Sequence, residues 1–289
     1  MRLQFGGERS GIDRVGAVYL PAAYFARDWR TFRFPVIEVL SGSPGNPAAE
    51  LKYLEISRFL DAEIAARRMA PTVAIIPTTN PSVLHDAECA DAVGGEQDDT
   101  YLTADLRADM VHDFRVREDR LGWAVMGNST GGYCAVNLAL RHPQWYGAGV
   151  SLSGYFRALT DVTTGDLYRG RPDVRDANDP TWMIEHWPTP PVAFYLVAGN
   201  REAEGREMLA FAVLIHPPAS VTTVLTAGTG HSFGAWRNDM PGALDWLGTV
   251  MAGPEAAPGP PSAGAIVRVR AGVVAPPLPA VPHSSTHIG

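Results

Sequence analysis

The sequence predicts an α/β fold with a mostly parallel sheet flanked by helices. Short apolar runs, typical of buried parallel strands, alternate with segments of helical character along most of the chain. One of these runs leads through a glycine-flanked serine directly into a helix. With 289 residues, 46% of them hydrophobic, the chain is long enough for one large domain with a sizeable core.

The predicted strands are apolar runs bounded by turn-forming residues. They lie at 15–21, 35–40, 72–77, immediately before Ser129, and at 147–154, 191–198 and 220–226. The predicted helices carry apolar or small residues at helical spacing. They lie at 50–69, 100–116, from Ser129 to the Arg141-His142-Pro143 stop, at 201–215 and at 232–251, the last interrupted by Pro241 and Gly242.

Three other segments have little predicted regular structure. Residues 78–99 are polar and acidic and predict a long loop. Residues 157–190 are rich in Asp, Arg, Gly and Pro and predict a short lid or cap-like insertion. From residue 252 the composition shifts to Ala, Pro, Gly and Val, which predicts a disordered low-complexity tail at 252–289 after a domain at 11–251.

Charge and hydropathy exclude some classes of partner. The formal net charge of −7 argues against nucleic acid or an anionic membrane surface as the main partner. No apolar run approaches the roughly 20 residues that span a bilayer. The first eleven residues lack the apolar core of a secretory leader, as would a chain from which a leader had been removed.

The two cysteines, Cys89 and Cys134, leave two alternatives open. They form one disulfide in an oxidising compartment, or they are separate thiols. No C-x-x-C pair and no Cys/His cluster occurs, so we expect neither a structural zinc nor another metal or cofactor.

The glycine-flanked serine is Ser129, in the pattern G-x-S-x-G formed by residues 127–131. Glycines on both sides permit a sharp turn that lifts the serine hydroxyl above the end of a sheet, as in a nucleophile elbow. The alternative is a plain turn between a strand and a helix. If the elbow exists, an acid and then a histidine must follow it in the chain.

Candidates for both groups follow the two last predicted strands. Glu202 comes directly after the strand at 191–198, with Glu204 as the alternative acid, and His231 follows the strand at 220–226. A serine needs such a base to take its proton and an acid to orient the base. The alternatives are a solvated charge near a helix start for either glutamate and a surface-loop position for the histidine.

Stabilisation of an oxyanion requires two N–H donors. The residue after the nucleophile, Thr130, supplies one in this arrangement, and a loop after an early strand supplies the other. The Ser43 N–H is the first candidate for the second donor and the Gly42 N–H the second, the alternative being an ordinary turn. Four aromatic residues near these positions either line a substrate pocket or belong to the core. They are Tyr155, Phe156, Phe233 and Trp236.

Four motifs together resemble a known family. They are the strand at 18–21, the serine turn at 127–132, the Ser-Leu-Ser-Gly run at 151–154 and the histidine run at 230–236. Over residues 11–246 the chain is similar to the bacterial putative-esterase family of α/β-hydrolases, which includes S-formylglutathione hydrolases, feruloyl esterases and antigen 85-type mycolyltransferases. Ser41-Gly42 stands where many relatives carry His-Gly or Asp-Gly, and mycolyltransferases use an acid there in sugar binding.

The resemblance implies a serine carboxylic-ester hydrolase with the α/β-hydrolase fold. It implies a small-molecule, lipid or carbohydrate ester as substrate, no metal, and often an extracytoplasmic location. Two alternative functions use the same fold. One is an acyltransferase of the mycolyltransferase type, and the other is a non-catalytic binding protein.

Overall fold

An eight-stranded, mostly parallel sheet forms the centre of the molecule, as the sequence predicts. The computed structural model describes residues 1–82 and 84–257. Across the sheet, the strands are β1 (Arg2–Gly6), β2 (Asp13–Tyr19), β5 (Val73–Pro77), β4 (Val36–Leu40), β6 (Trp123–Asn128), β7 (Ala148–Leu152), β8 (Ala193–Gly199) and β9 (Ser220–Thr226). Strands β1 and β2 run antiparallel to their neighbours, and the others are parallel. The loops that follow β4 to β9 therefore lie along one edge of the sheet.

Helices cover both faces of this sheet. They are α1 (Ala22–Phe25), α2 (Pro47–Ala49), α3 (Ile56–Ala65), α4 (Asp98–Thr100), α5 (Leu106–Asp113), α6 (Thr130–Arg141), α7 (Pro172–Asp176), α8 (Pro180–His186), α9 (Glu204–Ala212) and α10 (Phe233–Val250). One buried cluster joins the sheet to α5, α6 and α9. A second cluster joins the opposite face to α3 and α10.

Two predicted helices contain π-helical turns in the structure. The helix expected at 50–69 consists of a π-helical turn, Glu50–Leu54, and α3, separated by Glu55 in the left-handed conformation with φ 56°. The helix expected at 100–116 begins earlier, at α4, and continues through π-helical Tyr101–Asp105 into α5. Hydrophobic periodicity predicts that a helix exists, but it does not show where the helix changes between α-helical and π-helical turns.

Helix α10 is continuous, so the predicted interruption at Pro241 and Gly242 is wrong. Pro241 lies inside the helix and withholds one backbone hydrogen bond. Met240, Ala243 and Leu244 beside it are completely buried in the second cluster. Burial of this apolar face holds the helix together across the proline.

The cap-like insertion is more regular than its composition predicts, because it contains α7 and α8. Both helices have proline in their first turn, a position that needs no N–H donor. Asp179 caps α8 by accepting the Trp182 N–H at 2.8 Å. Proline and aspartate therefore act here as helix-start signals rather than as loop residues.

Ordered structure extends beyond both ends of the predicted 11–251 domain. Strand β1 precedes residue 11 and buries Phe5 in the core. At the other end, β10 (Glu255–Ala256) pairs with β3 (Phe32–Arg33). The rest of the predicted tail, 258–289, lies outside the described residues.

The two cysteines are joined by a disulfide between Cys89 and Cys134. Cys134 lies in α6, and Cys89 lies in the long loop between β5 and α4. Of the two alternatives that the sequence leaves open, the structure has the disulfide. Within the described ranges, no helix is both long enough and apolar enough to cross a bilayer.

Candidate active site

Ser129 lies in the sharp turn between β6 and α6. Its backbone has φ 56° and ψ −125°, an unusual conformation for a side-chain-bearing residue. The turn requires small neighbours, because a Cβ on Gly131 would lie 2.1 Å from the carbonyl oxygen of Leu40. The Ser129 N–H donates to the carbonyl of Leu152 at 2.9 Å, which anchors the turn to β7. This is the geometry of a nucleophile elbow.

His231 reaches the serine from the loop after β9. Its Nε2 lies 2.9 Å from the Ser129 hydroxyl oxygen, although the two residues are 102 positions apart. The His231 ring meets the ring of Trp236 edge to face, with 5.1 Å between their centres. A hydrogen bond between Nε2 and the hydroxyl is what a general base needs in order to take the serine proton.

Glu202 lies on the other side of the histidine ring. Its Oε2 is 2.9 Å from His231 Nδ1, whereas the nearest oxygen of Glu204 is 3.9 Å from that atom. The Glu202 side chain is 4% exposed and that of Glu204 is 28% exposed. Of the two glutamates that follow β8, Glu202 alone is within hydrogen-bonding distance of the histidine.

Two residues that the sequence analysis did not assign hold the second oxygen of Glu202. The Ser153 hydroxyl donates to Oε1 at 2.6 Å, and the Gly199 N–H donates at 2.5 Å. The indole N–H of Trp236 donates to the Ser153 hydroxyl at 3.0 Å. The carboxylate is therefore fixed in orientation. Ser153 lies in the Ser-Leu-Ser-Gly run at 151–154, one of the four motifs of the family resemblance. That motif could have indicated a role for Ser153.

The predicted oxyanion donors lie beside Ser129, one at the start of α6 and the other in the loop after β4. Thr130 opens α6, where the first N–H groups have no intrahelical acceptor. The loop after β4 approaches so closely that a Cβ on Gly42 would lie 2.9 Å from the Ser129 Cβ. Gly42 is thus directly against the serine, and Ser43 is the next residue along the same loop.

The four aromatic candidates fall into two groups. Tyr155 and Phe156 line a cavity of about 370 Å³ between the insertion and α9. Trp236 is buried behind the histidine. Phe233 packs between the ring of Trp236 and that of Tyr53, at 5.1 and 5.7 Å between centres.

One group of side chains near the serine has the donor types of a metal site. Ligand atoms of Glu202, Glu204 and His231 lie within 4.8 Å of one another. However, His231 Nδ1 and both oxygens of Glu202 already have hydrogen-bond partners. A cation at this position would have to displace the bond that orients the histidine.

An elbow serine at the carboxyl edge of this sheet, followed in the chain by a glutamate and a histidine, defines an α/β-hydrolase. The sequence model of the family described as "Putative esterase" matches residues 8–251. The chain belongs to this family, which confirms the resemblance seen in its motifs.

Solved structures with this fold include several esterases and hydrolases. A ferulic acid esterase superposes with a TM-score of 0.74 at 15% identity, covering 87% of this chain and 97% of the other. An S-formylglutathione hydrolase from Agrobacterium tumefaciens superposes with a TM-score of 0.74 at 18% identity, covering 87% and 95%. At such identities the likeness concerns the fold.

A curated relative is an uncharacterised protein of Corynebacterium glutamicum. It is 25% identical over 249 residues, which are 82% of this chain and 58% of the relative. The chain therefore spans little more than half the length of that protein.

Proposed function

We propose that the protein is a serine carboxylic-ester hydrolase in which Ser129, His231 and Glu202 form the catalytic triad. The observation that carries the proposal is the continuous chain of hydrogen bonds from the Ser129 hydroxyl through both ring nitrogens of His231 to Glu202. Each link measures 2.9 Å, and the serine stands in an elbow turn.

In the first half of the reaction, the Ser129 oxygen attacks the ester carbonyl carbon while His231 Nε2 takes the hydroxyl proton. The tetrahedral intermediate collapses, the bond to the alkoxy oxygen breaks, and the histidine returns the proton to the departing alcohol. An acyl-serine remains. In the second half, His231 removes a proton from water, and the resulting hydroxide attacks the acyl-serine. The bond from the acyl carbon to the Ser129 oxygen then breaks, His231 returns the proton to that oxygen, and the acid and the free serine are released.

Glu202 contributes by orienting His231 and by stabilising the imidazolium formed in each half-reaction. Its own orientation depends on Ser153 and on the Gly199 N–H. Because both carboxylate oxygens have partners on separate elements, the acid is held before substrate arrives. Such preorganisation avoids a reorganisation cost in the transition state.

The negative oxygen of the intermediate is bound by the Thr130 N–H and by one N–H from the loop after β4. Ser43 stays the first candidate for this second donor. The close approach of Gly42 to Ser129 supports Gly42 as the second candidate.

The substrate is a carboxylic ester of a small molecule, a lipid or a carbohydrate. The family description and the names of the structural neighbours, a ferulic acid esterase and an S-formylglutathione hydrolase, support acyl-transfer chemistry.

The proposed setting is an oxidising compartment outside the cytoplasm, where disulfides such as Cys89–Cys134 persist. Alkylation of free thiols in protein taken from its native cells, before any reduction, tests this. Unmodified Cys89 and Cys134 support the setting, and full modification of both contradicts it.

The function is tested with short p-nitrophenyl esters and a fluorophosphonate probe. Ser129→Ala should lose at least about 10³-fold in kcat and all probe labelling, while Ser57→Ala, on helix α3, behaves like the parent. Equal hydrolysis by Ser129→Ala and the parent would overturn the triad assignment. A parent that neither hydrolyses esters nor reacts with the probe would favour a non-catalytic binding protein.

A further inference from the structure

A buried acidic loop, residues 86–89, lies beside the proposed oxyanion donors and has no role in the triad. Asp86 is almost fully buried, and its Oδ2 accepts the Thr130 hydroxyl at 2.8 Å. Its Oδ1 accepts the N–H of Glu88 at 3.0 Å. The Ser43 hydroxyl lies close enough to this carboxylate to lower its pKa.

Thr130 and Ser43, the two residues beside the Asp86 carboxylate, come from different segments at the edge of the sheet. Thr130 follows β6, and Ser43 follows β4, which is the neighbour of β6 in the sheet. These are the two residues whose backbone N–H groups are the first candidates for the oxyanion site. A single carboxylate thus lies beside both halves of that site and is hydrogen-bonded to Thr130.

The acidic loop is itself held from three sides. The Asp86 N–H donates to the carbonyl of Thr163 in the insertion, and the Ala87 N–H donates to the side-chain oxygen of Asn80, each at 3.0 Å. Cys89 is bonded to Cys134 of α6, five residues after the serine. The loop is therefore attached to the nucleophile helix covalently as well as by hydrogen bonds.

We propose that Asp86 is a positioning residue, which sets the oxyanion site by holding Thr130 in place through its hydroxyl group. The proposal rests on the proposed esterase function. Asp86 acts through its partners, because its hydrogen bonds go to the Thr130 hydroxyl and to the adjoining backbone.

The physical reason is preorganisation. Oxyanion donors are effective when they already occupy their final positions, and a displacement of about 1 Å can cost about 10²-fold in rate. Burial raises the pKa of Asp86, and the Glu88 N–H and the two hydroxyl groups oppose that rise. With donors directed at both oxygens, the buried carboxylate is solvated by the groups that it positions.

A purely structural role for Asp86 is the competing explanation, and Thr130 allows the two to be separated. If Asp86 works through the Thr130 hydroxyl, removing the hydroxyl and removing the carboxylate should have overlapping effects. A double-mutant cycle measures such an overlap.

The experiment compares Asp86→Ala, Asp86→Asn, Thr130→Val, Thr130→Ser and the double variant D86A/T130V with the full-length parent. Asp86→Ala and Thr130→Val should each lower kcat by about 10²-fold with KM within about threefold of the parent. The double variant should be no more than about threefold worse than the poorer single variant. Thr130→Ser, which keeps the hydroxyl, should stay near the parent, and Asp86→Asn should fall between the parent and Asp86→Ala.

Asp99→Asn is the matched control, since Asp99 is also buried but pairs with Arg141 and His142 at the far end of α6. It should lower Tm and leave kcat unchanged. Asp86→Asn, which retains the side-chain shape, keeps the test valid if Asp86→Ala does not fold.

Two results would overturn the proposal. One is loss of Tm in both Asp86 variants with kcat unchanged, and the other is multiplication of the two single-variant effects in the double variant. Failure of the proposed function looks different, because the parent itself would then show no hydrolysis and no fluorophosphonate labelling of Ser129, and the positioning role would fall with it.

Discussion

Glu202 and Glu204 show how burial selects between two nearly equivalent residues. They are two positions apart, and both approach the same nitrogen of His231. Glu202 is enclosed with donors to its second oxygen, and Glu204 faces solvent at the start of α9. A charge in the enclosed position is oriented and weakly screened, which favours Glu202 as the acid.

We predict that Glu202→Gln lowers kcat by about 10³- to 10⁴-fold, because an amide N–H can enforce the wrong histidine tautomer. Glu204→Gln is the matched control and should change kcat by less than about threefold. Steady-state hydrolysis of p-nitrophenyl acetate measures both. A larger loss in Glu204→Gln than in Glu202→Gln would reverse the assignment.

Burial raises the pKa of three glutamates in the described part of the chain to about 8. They are Glu38, Glu50 and Glu88. Glu50 differs from the others, since neither of its oxygens has a hydrogen-bond partner within the part of the chain that the structure describes. It is therefore stable in the folded protein as the neutral acid.

The raised pKa of Glu50 makes folding stability depend on pH. Between pH 4.5 and about 8 the folded state holds a proton at Glu50 that the unfolded state releases. Stability from this group is full below pH 4.5 and is lost as the pH rises toward 8. The slope is about −1.4 kcal/mol per pH unit for one proton.

Glu50→Gln should therefore flatten the fall of the unfolding free energy by about 1.4 kcal/mol per pH unit over this window. Urea unfolding at pH 5, 6, 7 and 8 measures the slope. The exposed Glu8→Gln controls for the change in charge and should leave the slope as in the parent. An unchanged slope in Glu50→Gln would mean that Glu50 is ionised in the folded protein.

At the scale of elements, the disulfide joins the acidic loop to helix α6. The two cysteines are 45 positions apart, and both are buried. Sequence spacing alone cannot pair them, because the distance between a loop and a helix is set by the packing of the sheet. Cross-links of this length mainly stabilise a protein by restricting its unfolded chain.

We predict that the double variant C89A/C134A loses about 4 kcal/mol of unfolding free energy relative to the oxidised parent, as loop-closure entropy requires. Urea unfolding with and without a reductant measures the loss. The reductant should destabilise the parent and leave the double variant unchanged. Equal stability of the oxidised parent and the variant would contradict the prediction.

At the scale of the whole molecule, the antiparallel strand β1 completes one edge of the sheet. Its Phe5 is 2% exposed and packs in the same cluster as α5 and α6. A domain that began at residue 11, where the predicted domain starts, would leave this part of the core uncovered.

Phe5→Ala should cost about 3 kcal/mol of unfolding free energy, as expected for a buried phenylalanine. Phe25→Ala is the matched control, because Phe25 is 70% exposed, and its loss should be below about 0.5 kcal/mol. Chemical unfolding of both variants measures the difference. Similar losses in the two variants would show that β1 contributes little to the core.

Much of the fold follows from local patterns. Buried strands are recognisable in the sequence as apolar runs. The alternation of strand and helix predicts a parallel sheet with helices on both faces. The patterns fail where the outcome depends on neighbours, as in the continuous α10 across Pro241 and the helices of the insertion. Tertiary burial overrides local preference at these positions.

The sequence by itself determined the elbow pattern at Ser129, the chain order of serine, acid and histidine, and the family. These are properties of short segments and of their order, which a linear pattern records. The sequence also put Glu202 ahead of Glu204, and the tertiary structure places Glu202 within hydrogen-bonding distance of His231. Only the tertiary structure paired the cysteines and placed Ser153 and Asp86 behind the proposed site. Those choices depend on which loops meet at the carboxyl edge of the sheet, and strand register sets such meetings between residues far apart in the chain.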